Sequence, residues 1–197
     1  GRPADAPMPP RTHATVEVRL GVRRLLVDAG FGSATPRHPL PLDRSGAPGA
    51  PEPGRLAEEA GGGDRWRAVP VPDGAWLVRR EPADGREPED LYLLDELPVH
   101  HSDLELANHW TSTHPTSHFT RRAIVVRHLP RGRRTLAGRT LTAPAADDPG
   151  RLETRTLEDG AALRAALASA IGIDPGADDA ELDAVVAIGA AWEREQA

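Results

Sequence analysis

The sequence predicts an α+β protein with antiparallel strands first and helices last. Short runs of alternating apolar and polar residues, rich in β-branched side chains and separated by turn signals, recur at hairpin spacing from Arg11 to Leu157. Two stretches with helical patterning, Gly160 to Ile171 and Asp179 to Glu195, close the sequence. At 197 residues the chain can hold one large domain or two small ones, with a real core. Several short strands at this spacing argue for an antiparallel barrel or sandwich.

The first element is a hairpin. Arg11 to Leu20 and Val22 to Val27 both alternate, and Gly21 sits between them where a tight turn needs a positive φ. A Leu20-Gly21 loop predicts the pairs Arg19 with Val22, Glu17 with Arg24, Thr15 with Leu26 and His13 with Asp28. One face then collects Ala14, Val16, Val18, Leu25 and Val27. The other carries Glu17 opposite Arg24 and His13 opposite Asp28, so a clean apolar face and a cross-strand charge pair support the same register. An imidazole beside a carboxylate is the orienting half of a nucleophile–His–Asp triad, since the carboxylate fixes the tautomer and stabilises the imidazolium. The same pair also serves as a plain tie between two strands.

Ala29-Gly30-Phe31-Gly32-Ser33 follows as a sharp turn, able to present backbone N–H groups to an oxyanion or phosphate or simply to end a strand. His38 to Leu42 is an extended, proline-bearing edge. Residues 43–63, rich in Gly, Pro and Ala, read as a mobile loop or a decayed insertion. Strands resume at Trp66–Val69 and Gly74–Arg79 around a Pro72-Asp73-Gly74 turn, and again at Leu91–Leu94. A short helix over about 103–110, capped by Ser102 or Asp103, leads into a polar loop at 111–119. Arg121–His128, Thr135–Thr142 and Leu152–Leu157 read as partner strands. Their arginines suit either an anionic ligand or a solvated strand face.

Composition narrows the function. There is no Cys, which removes disulfides, thiolate metal sites and a cysteine nucleophile from these residues. The formal net charge of -6 argues against general nucleic-acid binding. The histidines between His100 and His118 match no standard metal spacing, and no metal is expected. No apolar run approaches the roughly 20 residues of a membrane span, and no signal-peptide pattern opens the sequence, so a cytoplasmic protein is expected.

Several of these stretches together resemble the arylamine N-acetyltransferase family. Arg11-Thr12-His13 before a strand, Leu26-Val27-Asp28 before Gly30-Phe31-Gly32, and Pro39-Leu40-Pro41-Leu42 match its central signature. Leu91-Tyr92, Asp103 through Phe119, Leu136-Ala137-Gly138-Arg139 and Ile171-Gly172-Ile173 extend the likeness over residues 10–175. The resemblance implies a cysteine-proteinase-like transferase fold lacking its N-terminal helical domain: a β-barrel domain at 1–102, an interdomain helix and loop at 103–118, and an α/β lid at 119–197. It implies a Cys-His-Asp triad that moves acetyl from acetyl-CoA to an arylamine or hydrazine in xenobiotic metabolism. His13 would be the general base and Asp28 its orienting partner. Thr12, Gly30, Phe31 and Gly32 would line the acyl-CoA end of the cleft, and Phe119 the acceptor pocket. The family's Cys lies well before its His, in a helical domain, whereas twelve residues precede His13 here. The expectation is therefore a portion of such an enzyme that needs a Cys-bearing partner domain and has an exposed apolar face where that domain belongs. The alternative is a catalytically dead relative that binds CoA or a partner protein.

Overall fold

A computed structural model describes residues 10–43, 64–83, 85–130, 132–148 and 150–196, with the side chains of Asp73 and Gln196 left aside. The loop expected over residues 43–63 lies, apart from Asp43, outside the described residues. Two compact units divide the chain, residues 1–107 and 108–197. The boundary falls inside helix α1, His101–Thr113, which begins before and ends after the helix expected at 103–110. Its start is fixed by Asp103, whose carboxylate accepts the His100 amide at 2.8 Å, reaching back as the third residue of a capping arrangement does.

The first unit is built from two antiparallel three-stranded sheets rather than a closed barrel. Strands β1 (Val16–Leu20), β2 (Arg23–Val27) and β3 (Leu40–Pro41) form one sheet in that order. Strands β4 (Arg65–Pro70), β5 (Trp76–Glu81) and β6 (Glu89–Leu94) form the other. Leu26, Leu40, Leu42, Trp66, Ala68, Trp76 and Val78 make its core, with Leu91, Tyr92 and Leu94 packed against it.

The β1–β2 register corrects the expected one. Val16 pairs with Val27, Val18 with Leu25 and Leu20 with Arg23, so the two-residue loop is Gly21-Val22. Gly21 has φ 61°, and placing it first in the loop supplies the positive φ that a hairpin turn matching the strand twist requires. The slip is two residues, and side chains alternate with period two, so every residue keeps its expected face. Glu17 still reaches Arg24, now diagonally, at 2.7 Å. The apolar face is left uncovered: Val16 is 61 % exposed, Ala14 is exposed, and Val18, Leu25 and Val27 are only part-buried. The face that turns inward instead carries Leu26 together with the polar residues.

β5 and β6 are out of step by one residue between Val78 and Arg79. Val78 faces Tyr92 while Arg79 faces Asp90, so Leu91 is an extra residue. Such a bulge lets two successive side chains, Leu91 and Tyr92, pack on the same core.

The second unit carries a four-stranded antiparallel sheet, ordered β10-β9-β8-β7. Its strands are β7 (Ile124–His128), β8 (Arg133–Ala137), β9 (Thr140–Pro144) and β10 (Leu152–Thr156). The single strand expected over Thr135–Thr142 is thus a hairpin, turned at Gly138-Arg139. Helices α2 (Gly160–Ala166) and α3 (Asp179–Gln196) pack together. Leu136 and Leu141 of the sheet share one core with Leu163, Ala166, Leu167, Ile171, Leu182 and Val186 of the helical segments. Asp159 caps α2 through the Ala162 amide at 2.7 Å. Asp178 and Glu181 exchange bonds at 2.8 and 2.9 Å as a capping box for α3.

The stretch after α2, Leu167–Ile171, is a π-helical turn that ends at Gly172 with φ 86°. Arg127 donates to the Ile171 carbonyl at 2.9 Å and Arg134 to the Ala170 carbonyl at 2.8 Å. Guanidinium groups thereby satisfy carbonyls that a helix end leaves without partners. Arg139 binds Glu193 and Glu158, both at 2.8 Å. These three arginines of the second unit are committed to contacts within it.

Candidate active site

His13 sits just ahead of β1 and Asp28 just after β2, on the inward side of the hairpin. Their side chains meet with His13 Nε2 2.9 Å from Asp28 Oδ2. Asp28 is 7 % exposed. Its other oxygen, Oδ1, accepts the Gly30 amide at 2.9 Å. The Gly30 N–H is thus spent on the carboxylate in a short Asx-type turn, not held out toward a ligand.

A third donor completes the carboxylate's shell. The Tyr92 hydroxyl donates to Asp28 Oδ2 at 2.6 Å, across 64 residues of sequence and from the opposite sheet. Burial alone pushes the Asp28 carboxyl up, but hydrogen bonds from His13, Tyr92 and Gly30 outweigh it and hold the group below the usual carboxylate range. Tyr92 is held above the ordinary phenol value, first by desolvation and then by donating to an anion.

Two aromatic rings that touch each other pack side by side against the imidazole. Phe31 and Tyr92 both lie 5.1 Å from the His13 ring centroid, edge to face, and 4.6 Å from each other. A carboxylate only accepts, so Nε2 carries the proton and the neutral ring keeps its lone pair on Nδ1. The site can therefore take a proton on Nδ1 and stabilise the resulting cation through Asp28.

Of the residues picked out in the sequence, His13, Asp28, Gly30 and Phe31 come together. Gly32 opens the short 3-10 turn Gly32–Ala34 directly after them, and Thr12 is exposed. Phe119 belongs to the second unit, in the turn His118–Thr120, where it is exposed beside the His118 ring. Burial, with Arg122 nearby, holds that imidazole below its usual range. Tyr92 was missed by sequence reasoning. The signal available was that it is the only tyrosine, set in a strand, and a part-buried phenol needs a polar partner.

A buried carboxylate thus holds a histidine at the open end of a hairpin that runs into a glycine turn. Comparison fixes the class: the model of the N-acetyltransferase family matches residues 1–179, and the chain belongs to that family. Within it the relatives are arylamine N-acetyltransferases. The Escherichia coli enzyme is 30 % identical over 176 residues, covering 88 % of this chain and 56 % of the relative. The Mycolicibacterium smegmatis enzyme is 32 % identical over 178 residues, covering 89 % and 58 %. Among solved structures, that of the Mycobacterium marinum arylamine N-acetyltransferase in complex with CoA matches with a TM-score of 0.73 at 28 % identity. That match covers 93 % of this chain and 63 % of the other. The chain spans just over half the length of the curated relatives it matches.

Proposed function

We propose that this chain supplies the general base and its orienting carboxylate to an acetyl-CoA-dependent arylamine N-acetyltransferase. A cysteine thiol, contributed by a segment outside these residues, would act as the nucleophile. The observation that carries this is the buried Asp28 holding His13 by Nε2 at 2.9 Å. That bond leaves Nδ1 as the nitrogen to receive the thiol proton. The thiolate attacks the thioester carbonyl, and CoA leaves as its thiol after taking the proton from the imidazolium. The arylamine or hydrazine then attacks the acetylated cysteine and gives up an N–H proton to His13, and the thiol is restored. Thr12, Gly30, Phe31 and Gly32 are assigned to acyl-CoA and Phe119 to the acceptor by the family resemblance; of these, Phe31 packs on the imidazole and Gly30 lies close to it. No helix among the described residues is long and apolar enough to cross a membrane.

The Cys-bearing segment would seat on the uncovered hairpin face of Ala14, Val16, Val18, Leu25 and Val27. A contiguous apolar face on a strand pair marks a partner surface. It borders the end of the hairpin where the thiol must arrive. No separate metal is needed for this chemistry.

The chain is incubated with acetyl-CoA and an aromatic amine, and both product and acetylated protein are measured. Neither is expected above background, because a triad missing one member loses several orders of magnitude. Adding the Cys-bearing segment of a relative should bring acetylation of the thiol and turnover, both abolished by His13→Ala. An acetyl adduct on Ser33 or Thr15 of the chain alone, turning over with the amine, overturns the proposal. Binding of CoA with no turnover after reconstitution leaves the non-catalytic reading in its place.

A further inference from the structure

The two sheets of the first unit meet through two matched polar contacts with apolar core between them. Asp28 of the β1–β2–β3 sheet meets Tyr92 of the β4–β5–β6 sheet through the 2.6 Å hydroxyl bond. Two residues back along β2 and two forward along the facing chain, Leu26 lies in the core against which Leu94 packs. Two further on, Arg24 meets Glu96, with Nη2 2.9 Å from Oε1. The two polar contacts thus lie four residues apart on each chain, one chain running against the other, with apolar core residues between them.

The Arg24–Glu96 contact is built, not incidental. The same Glu96 Oε1 accepts the indole N–H of Trp76 at 2.6 Å, and Trp76 is completely buried. Arg24 is held from its other side by Glu17, with Nε at 3.0 Å from one oxygen and Nη2 at 2.7 Å from the other. Arg19 adds a 2.6 Å bond to Glu17. A guanidinium gripped as a fork has little rotamer freedom left to lose, unlike an ordinary surface ion pair. Arg11, two residues before His13, pairs with Asp95 at 2.8 Å and adds a looser tie between the same two chain segments.

We propose that Arg24 and Glu96 are positioning residues: their contact holds the two sheets in the alignment that delivers the Tyr92 hydroxyl to Asp28. This rests on His13–Asp28 being the acyl-transfer pair only as far as activity is concerned. The alignment itself is a property of the first unit. Neither residue touches the imidazole. They act through Tyr92, which shares Asp28 Oδ2 with His13 and so sets how much of the carboxylate's charge the imidazole feels.

Tyr92 is the only tyrosine in the chain, so phenolate absorbance reads this one hydroxyl. In the intact protein it should resist ionisation beyond the free value of about 10. Glu96→Ala and Arg24→Gln should each bring its midpoint down by about one pH unit or more, because the hydroxyl loses its anionic partner and its burial. Glu96→Gln keeps an acceptor for both Trp76 and Arg24 and should restore most of the shift. Arg79→Ala, which removes the exposed Arg79–Asp90 pair from the same sheet, should leave Tyr92 unmoved. Circular dichroism at each pH confirms folding, and Arg24→Gln decides the matter by the same criterion should Glu96→Ala not fold. A folded Glu96→Ala or Arg24→Gln protein with the parent's Tyr92 midpoint overturns the proposal. So does an equal shift in Arg79→Ala, which would mean general loosening. With the Cys-bearing segment supplied, kcat should fall several-fold in Glu96→Ala at unchanged KM for acetyl-CoA. If the midpoint moves but no variant, nor the parent, transfers acetyl, then the acyl-transfer reading has failed and the alignment device stands.

Discussion

The second unit covers its sheet with helices, whereas the first unit covers one side of its hairpin and leaves the other open. In residues 108–197 the core draws Leu136 and Leu141 from strands and Leu163, Leu167, Ile171, Leu182 and Val186 from helical segments. Its polar groups are used locally, as caps and as arginines on helix-end carbonyls. In residues 1–107 the inward side of the hairpin carries Arg24, Leu26 and Asp28, a core leucine flanked by two hydrogen-bonded charged groups. The outward side is apolar and exposed at Val16. One unit spends its sequence on closing a core. The other divides its hairpin between a polar, hydrogen-bonded inward side and an uncovered apolar outward side.

The sharpest way to break that division is at the carboxylate. Asp28→Asn preserves shape but offers an amide donor to Nε2, favouring the wrong tautomer. In the reconstituted enzyme kcat should fall on the order of ten-thousand-fold, as triads of this kind do. Turnover within a few-fold of the parent would take the chemistry away from this hairpin. Next in size is the buried side of the first unit. Trp76→Ala should cost about 3–5 kcal/mol in urea unfolding, while Val16→Thr on the open side should stay within about 0.5 kcal/mol. Equal costs would erase the distinction between the two sides.

In the second unit the test is close backbone packing. A Cβ on Gly160 would lie 2.3 Å from the Asp179 carbonyl oxygen and 2.8 Å from the Asp183 nitrogen, both backbone atoms of the α3 start. Gly160→Ala should therefore destabilise that unit by about 1–3 kcal/mol, seen as faster amide exchange in α2 and α3. Parent-like exchange would mean that the helix pair can yield. The smallest expected effect is acid sensitivity. Hydrogen bonds from Arg24 and Arg19 pull Glu17 down to about 2, and Asp28 is also lowered. A lowered carboxyl contributes stability that is present above the unfolded value and lost as pH falls through the folded one. The first unit should thus weaken progressively below about pH 4.5, as denaturant midpoints at successive pH values would reveal. A midpoint that is flat down to about pH 2 would contradict this.

Local periodicity was enough to read much of this from residues alone. Alternation placed both strands of the first hairpin, and period-two parity kept His13 and Asp28 on one face even though the turn was set one residue early. Helix α3 was legible from Asp179 to within a residue of its end. What escaped was whatever depends on contacts distant in sequence. Nothing near Tyr92 announces that its hydroxyl meets a carboxylate 64 residues away. The Leu91 bulge is invisible to a pattern that assumes regular pairing. Barrel closure, expected from strand count and likeness, depends on sheet edges meeting. That is a global property, and here two separate sheets form instead.

Strand β1 has β2 as its one neighbour in the sheet order, so among the described residues its outer backbone edge is unpaired. An open edge beside an apolar face is a template on which identical chains can stack. Alternating Glu17 and Arg19 along that edge are the natural guard, because a second strand would have to bury or confront their charges. Glu17, which grips Arg24, and its neighbour Arg19 thereby also bear on how the polypeptide associates at high concentration. Neutralising both would leave a five-residue run of high β-propensity with no charge to oppose edge-to-edge pairing.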